Sequence, residues 1–417
     1  MKKLVSFILV FLIVFGLMQQ GQYASAALES MTKSITLKIG SPVITINGKA
    51  QPLDGVPVIE NGRTLVPLRA IFEALSLKVS WDSRTQEITG TRGNTKITLY
   101  VGSEAAYKND APMAAALETP PKIINGRTMV PVRFLAESLG AEVKWLSETQ
   151  TIVITEDPKF LSLKDITIYI GDPITRVESL LGKPDRIDPS EYDFNWHVYN
   201  SDYSRFIMVG IKDGIVEALY SNSKGFATNN AKYGDVITTE EWRSKGQQTG
   251  IDLYMDRSDN DGNHKIHACR IISDDVTLKD KYAENDEFYK AQELENFDAT
   301  NAFRVNHQLK PLAVDDIAVL TARKHSQDMA DKNYFNHTNL EGLSPWDRYK
   351  NNGGQKASGS GENISAGRLL GIDAFDGWVN SEGHRKNMLG SHEYLGVGYG
   401  YNQSSTYRYY MTQFFSR

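Results

Sequence analysis

The chain has 417 residues, of which 41% are hydrophobic and 23% charged, so it is long enough for about two to four domains and too apolar for a disordered chain. A net charge of −5 gives no general drive towards nucleic acid or an anionic membrane surface, and a single cysteine, Cys269, excludes an intramolecular disulfide framework.

The first expected element is a secretory signal peptide over residues 1–26. Lys2 and Lys3 precede an apolar run from Leu4 to Met18, and Ala24-Ser25-Ala26 offers small residues at a cleavage site. The run is shorter than the ~20 apolar residues of a membrane span, and no later segment is apolar enough to cross. The mature chain is therefore expected to begin near Ala27 without a transmembrane segment, secreted or held at the cell envelope. A disulfide-free exported chain of this size suits a Gram-positive bacterium. Cys269 reads most simply as a small buried apolar residue.

Residues 35–156 hold a tandem duplication. Residues 61–90 and 125–154 are identical at half of their thirty positions, at an offset of 64. Each copy has an Asn-Gly turn, a proline suited to a helix start (Pro67, Pro131) and an apolar helical face. That face is Leu68, Ile71, Phe72 and Leu75 in the first copy and Val132, Leu135, Ala136 and Leu139 in the second. A hairpin pattern carrying Val79 and Trp81, or Val143 and Trp145, follows. The pairs Arg69/Glu73 and Arg133/Glu137 stand four residues apart and read as helix-surface ion pairs worth a few tenths of a kcal/mol. The repeated NGRT-x-VP-x-R signature resembles the copper amine oxidase N-terminal domain, which implies a β-rich α+β stalk or attachment module without copper chemistry.

Residues 165–275 alternate short strands with turns, apart from one amphipathic helix at Ile174, Val177, Leu180 and Leu181 that ends at Gly182-Lys183-Pro184. Tyr192, Trp196, Tyr199, Tyr203 and Tyr220 are expected to fill one face of a sheet, a carbohydrate-stacking platform being the alternative. The stretch GKPDRIDPSEYDFNWHVYN resembles the α+β domain that precedes CAP modules. Residues 276–292, rich in Asp, Glu and Lys, read as a linker or a solvated helix.

From residue 293 to 417 the pattern is helices first and strands last, which indicates an α+β layered domain. Ser344 is placed to cap a helix that Pro345 opens. Leu395 to Tyr401 alternates strictly with glycine and pairs with Tyr407 to Phe414 across a polar turn. Two histidines and two glutamates fall in loop-prone settings: His337 after Tyr334-Phe335-Asn336, Glu362 after Gly361, and Glu382 and His384 on either side of Gly383. Such a set suits a divalent cation or acid–base chemistry. Glu382 and His384 would diverge by about 200° on a regular helix, so Glu382 joins only if the helix breaks at Gly383. His325, on an apolar stripe, reads as a core histidine.

The segments HSQDMADKNYFNHTNLEGLSPWDRY, GENIS, GWVNSEGHRKNML and YLGVGYGY…YYMTQFF occur in the order and spacing of the CAP superfamily, which includes cysteine-rich secretory, antigen 5 and pathogenesis-related proteins. The resemblance implies an α-β-α sandwich with a His/Glu-lined cleft, and hence His337, Glu362, Glu382 and His384 as ligands of zinc or another divalent cation, with no organic cofactor. Ser381 stands where eukaryotic members carry their second glutamate. The expected role is a non-catalytic binding or interaction module with cell-wall or extracellular protein or glycan partners and no nucleic acid. The alternatives are a metal-dependent hydrolase acting on peptides or wall polymers, and a lipid-binding protein, the latter inherited only from eukaryotic relatives. No Gly-x-Ser-x-Gly elbow surrounds Ser381.

Overall fold

The computed structural model describes residues 32–92, 95–113, 117–229, 231–239, 241–242, 251–258, 264–274, 276–279, 285–355 and 361–417. The expected signal peptide lies outside the described residues. No helix among those residues is long and apolar enough to cross a membrane. The fold is mixed α+β throughout, divided into an N-terminal unit up to residue 159 and a second unit from residue 160.

The N-terminal unit runs β1 (Lys33–Lys38), β2 (Val43–Ile46), β3 (Lys49–Pro52), β4 (Val58–Glu60), β5 (Arg63–Pro67), α1 (Leu68–Ala74), β6 (Lys78–Asp82), β7 (Glu87–Arg92), β8 (Thr95–Tyr100), β9 (Ala106–Lys108), β10 (Ala111–Pro112), β11 (Lys122–Ile124), β12 (Arg127–Pro131), α2 (Val132–Ser138), β13 (Glu142–Leu146) and β14 (Thr151–Glu156). Its sheets have the orders β10-β9-β8-β7-β6, β13-β14-β1-β2-β3 and β11-β12-β5-β4. The first two are equivalent. The second copy has no strands of its own after β14, and β1, β2 and β3 take the places of β8, β9 and β10.

Local chemistry repeats with them. Asn47 Oδ1 accepts from the Ser34 amide at 2.9 Å, and Asn109 Oδ1 from the Lys96 amide at 2.8 Å. Gly40 donates to Pro57 at 2.9 Å as Gly102 does to Pro121 at 2.8 Å. The duplication thus begins at β1, where sequence identity is too sparse to reveal it. One core, including Ile35, Leu37, Phe72, Leu99, Leu135 and Ile154, closes both copies.

The second unit opens with β15 (Phe160–Leu163), β16 (Ile166–Tyr169), α3 (Ile174–Leu181), β17 (Arg186–Pro189), β18 (Asn195–Tyr199), β19 (Ile207–Lys212), β20 (Ile215–Ser221), β21 (Phe226–Thr228), β22 (Val236–Ile237), β23 (Ile251–Asp256) and β24 (His264–Ile272). Its large sheet has the order β17-β18-β19-β20-β24-β22, with β23 also paired to β24. Tyr192, Trp196 and Tyr220 are buried in one core, with Tyr203 partly buried beside them. Tyr199, three residues after Trp196 on β18, is buried in the core on the opposite face, so the five aromatics do not share the single face expected. Cys269 is buried on β24.

Next comes α4 (Asp286–Asn306), then β25 (Ala313–Val314), α5 (Asp316–Lys332), α6 (Pro345–Asn351), β26 (Gly361–Ala366), α7 (Gly371–Val379), α8 (Glu382–Met388), β27 (Tyr394–Tyr401) and β28 (Tyr409–Ser416). Residues 286–292, expected as linker or solvated helix, are the opening turns of α4 and are partly buried. Asn285 caps the helix through the Phe288 amide, and the charges of its first turn mask the burial of Phe288, Ala291 and Gln292.

These helices sandwich a sheet of order β25-β27-β28-β26. Leu395, Val397 and Tyr399 pack with Phe303 of α4 and Phe375 and Trp378 of α7. The intervening glycines face α5. A Cβ on Gly396, Gly398 or Gly400 would stand 2.0–2.3 Å from α5 backbone atoms. The Gly alternation therefore sets how closely α5 lies on the sheet, and Ser326 Oγ donates to the Gly398 carbonyl at 2.8 Å.

The strand-rich part of this unit and its helical sandwich share a core. Phe194, Trp196, Phe206 and Tyr220 pack with Phe288, Ala302, Leu370 and Ile372. Arg186 pairs with Asp298 at 2.7 Å, and His267 Nε2 lies 2.8 Å from Asp376.

Candidate functional site

The site forms at the open edge of β26, where α5, α6 and α8 come together. Glu362 is the second residue of that strand and paired with Phe414, so its side chain shares the α5 face of the sheet. Gly361 before it is small because a Cβ there would stand 3.0 Å from Asn387. Asn363 after it points the other way and donates to the His384 carbonyl at 3.2 Å, while Asn387 donates to Asn363 Oδ1 at 2.9 Å. The Gly-Glu-Asn triplet thus aims Glu362 at His337 and Arg348 and ties α8 to the strand.

Both oxygens of Glu362 are engaged. Oε1 accepts from His337 Nδ1 at 2.8 Å and Oε2 from Arg348 Nη2 at 2.5 Å. Arg348 and Glu362 are buried, with side chains only 7% and 3% exposed. Arg348 also donates through Nη1 to the carbonyls of His337 and Leu343, at 2.7 and 2.9 Å, so one guanidinium fixes the loop and the carboxylate together. It stands on α6, whose start is fixed by a capping box between Ser344 and Asp347 with Pro345 in the first turn.

His337, by contrast, has a side chain 49% exposed. Against a carboxylate oxygen Nδ1 is the donor, so in the neutral ring Nε2 carries the lone pair. No protein group among the described residues takes that nitrogen. His384, on α8, has its ring 6.5 Å from that of Trp378. Burial first, and then the neighbouring His337, lower its pKa below the usual histidine value. The two imidazoles are thus electrostatic neighbours.

Glu382 does not join them. It is the exposed first residue of α8, and the helix continues through Gly383 to His384, so the i,i+2 divergence holds. The structure therefore brings together His337, Glu362 and His384. Among the described residues no three His, Cys, Asp or Glu groups stand where they could hold a metal ion. The donor set is two imidazoles and a carboxylate whose oxygens are both committed, which does not fit a resident ion as arranged.

Two neighbours escaped the sequence reading. Arg348 was hidden in the motif SPWDRY, where a charged residue reads as surface; its place four residues after a capping serine, beside Tyr349, was the available signal. His325 is buried, 1% exposed, as its apolar stripe predicts, but it also lies 3.9 Å from Glu362 Oε1. Its Nε2 donates to the Asn336 carbonyl at 3.1 Å. Burial dominates over the attraction of Glu362 and lowers its pKa to about 4.

Comparison with known proteins matches three segments of the chain. Residues 297–415 match the model of the cysteine-rich secretory protein family, residues 170–243 the CAP-associated N-terminal model, and residues 20–67 and 45–154 the copper amine oxidase N-terminal domain. The chain is 29% identical over 297 residues to the uncharacterized membrane protein YlbC of Bacillus subtilis, a match covering 60% of this chain and 83% of that one. It is 43% identical over 110 residues to the uncharacterized protein YkwD of the same organism, covering 26% and 42%. Among solved structures, an extracellular SCP-domain protein of Bacillus anthracis superposes with a TM-score of 0.50 at 26% identity, over 60% of this chain and 93% of the other.

Proposed function

From the premise that the chain ends in a CAP domain, preceded by a CAP-associated segment and a copper amine oxidase N-terminal-type domain, we propose that it is an exported bacterial protein acting at or outside the cell envelope as a binding module. Its binding corner is His337, Glu362 and His384. The observation that carries this reading is the double engagement of Glu362, by His337 at Oε1 and Arg348 at Oε2.

A hydrolytic base needs a carboxylate oxygen free to take a proton from water. Glu362 has neither oxygen free, and its role here is to orient the His337 ring so that Nε2 faces outward. His384 is biased towards the neutral form by burial. His384 and the outward-facing Nε2 of His337 then face a ligand, either a hydrogen-bonding group of a wall or protein partner or a divalent cation. A cation such as zinc would have His337 Nε2 and His384 as its protein donors and would draw its remaining ligands from a partner or from water.

The test is calorimetric titration of the full mature chain with zinc, in parallel with purified wall fragments, for wild type, His337→Ala and His384→Ala. Saturable binding lost in both variants supports the shared corner. Turnover of wall peptides or glycan that disappears in Glu362→Gln would replace this reading with a hydrolase.

A further inference from the structure

The N-terminal unit contains a groove that the duplication builds and that no part of the CAP-domain reading uses. Its volume is about 520 Å³, within the range of small-ligand sites. One wall is the Asn-Gly turn of the first copy, with Ile59 and Thr64. The other is α2 and the sheet of the second copy, with Phe134, Val143 and Trp145. The groove therefore lies on the seam between copies. Ile59 and Trp145, 49% and 37% exposed, both line this one groove.

The charges on its rim cancel in pairs. Arg63 bridges to Glu118, and Arg133 to Glu137 at 3.8 Å. The pseudo-equivalent of the first pair is present too, as Arg127 reaches Asp54 at 3.3 Å. The arginine of each NGRT signature thus clasps the acid that precedes the other copy. The groove offers an apolar floor and no net field, which suits an uncharged, largely apolar occupant.

The backbone narrows the choice. Asn61 and Gly62 have φ of 51° and 75°, the two-residue hairpin turn in which the flanking pair, Glu60 and Arg63, exchanges hydrogen bonds. The next pair, Ile59 and Thr64, is then a non-hydrogen-bonded one, so the N–H and C=O of Ile59 point away from β5. β4 is the last strand of its sheet, and among the described residues nothing pairs with those two groups. A residue laid opposite Ile59 would take both bonds, and its side chain would share the face of Ile59 and enter the groove.

We propose that this groove binds a short extended peptide segment of a partner, adding one residue to the β4 edge and seating a large apolar or aromatic side chain between Ile59, Phe134 and Trp145. This is strand addition of limited length, because Pro57 precedes β4 and its carbonyl already accepts from Gly40.

The test uses the full mature chain and blocked pentapeptides Ac-Thr-Thr-Xaa-Thr-Thr-amide, with Xaa as Phe, Leu, Gly or Asp, titrated by calorimetry. The Phe or Leu probe should saturate with at least about tenfold higher affinity than the Gly probe, the worth of one buried apolar side chain. N-methylation of the Xaa amide should abolish binding, and N-methylation of the following Thr should leave it. Trp145→Ala and Phe134→Ala should each weaken it about tenfold. The second variant is fold-safe, since the first copy carries Ala70 at that position. No saturation at millimolar probe, equal affinity for the Gly probe, indifference to Xaa N-methylation, or saturable binding of a chito-oligosaccharide in place of the peptides would each overturn the proposal.

Discussion

Glu362 and Arg348 form a buried pair at 2.5 Å beneath a half-exposed imidazole, so the carboxylate most exposed to functional interpretation is also a structural counter-ion. Breaking a buried pair by neutralising one partner leaves the other charge uncompensated. Glu362→Gln should therefore lower the unfolding free energy by about 3 kcal/mol or more, read from urea unfolding of the second unit. A loss near zero would mean that Arg348 finds another partner and that the glutamate is free for other work.

His325 gives the same region a pH dependence with a definite sign. Its folded pKa of about 4 lies below the ordinary value of 6.5, so between those values the unfolded state binds a proton that the folded state does not. Stability is full above about pH 6.5 and falls as pH drops towards 4, by roughly 3 kcal/mol from this residue. His325→Gln should flatten that part of the profile, and an unchanged slope would assign it to other groups.

The strand exchange in the N-terminal unit predicts matched effects at residues far apart in sequence. Asn47 and Asn109 each hold a left-handed turn and bond an equivalent backbone amide. Asn47→Ala and Asn109→Ala should each cost about 1–2 kcal/mol and agree within about 0.5 kcal/mol in chemical denaturation. Removing β1 altogether should unfold the second copy, because β14 would lose its neighbour and Ile152 and Ile154 their cover.

The shared core of the second unit bears on how the CAP domain is studied. Residues 293–417 made alone would lack the first two turns of α4, including Phe288, and expose Leu370 and Ile372. Such a fragment should aggregate or show lost near-ultraviolet dichroism, whereas residues 160–417 should unfold cooperatively in a single transition. Two well-separated transitions in the longer piece would show that the core they share contributes little.

The sequence by itself determined the modules and most of the corner. Four ordered motifs marked the sandwich, a visible repeat marked the duplication, and His337, Glu362 and His384 were legible as residue types that carry chemistry, although the loop settings expected for Glu362 and His384 proved to be a strand and a helix. Capping at Ser344 and the alternation of β27 were also legible, because both depend on neighbours only a few residues away.

What only the tertiary structure decided are relationships between distant segments. The i,i+2 geometry on α8 keeps Glu382 outward, and that depended on whether Gly383 broke the helix. Arg348 became part of the corner because packing drove a charged residue of α6 inward against a carboxylate from β26. The strands β1 to β3 complete a copy that begins some ninety residues later, which no local pattern encodes. Side-chain periodicity reports which face of an element is buried, but burial by itself is silent on the partner.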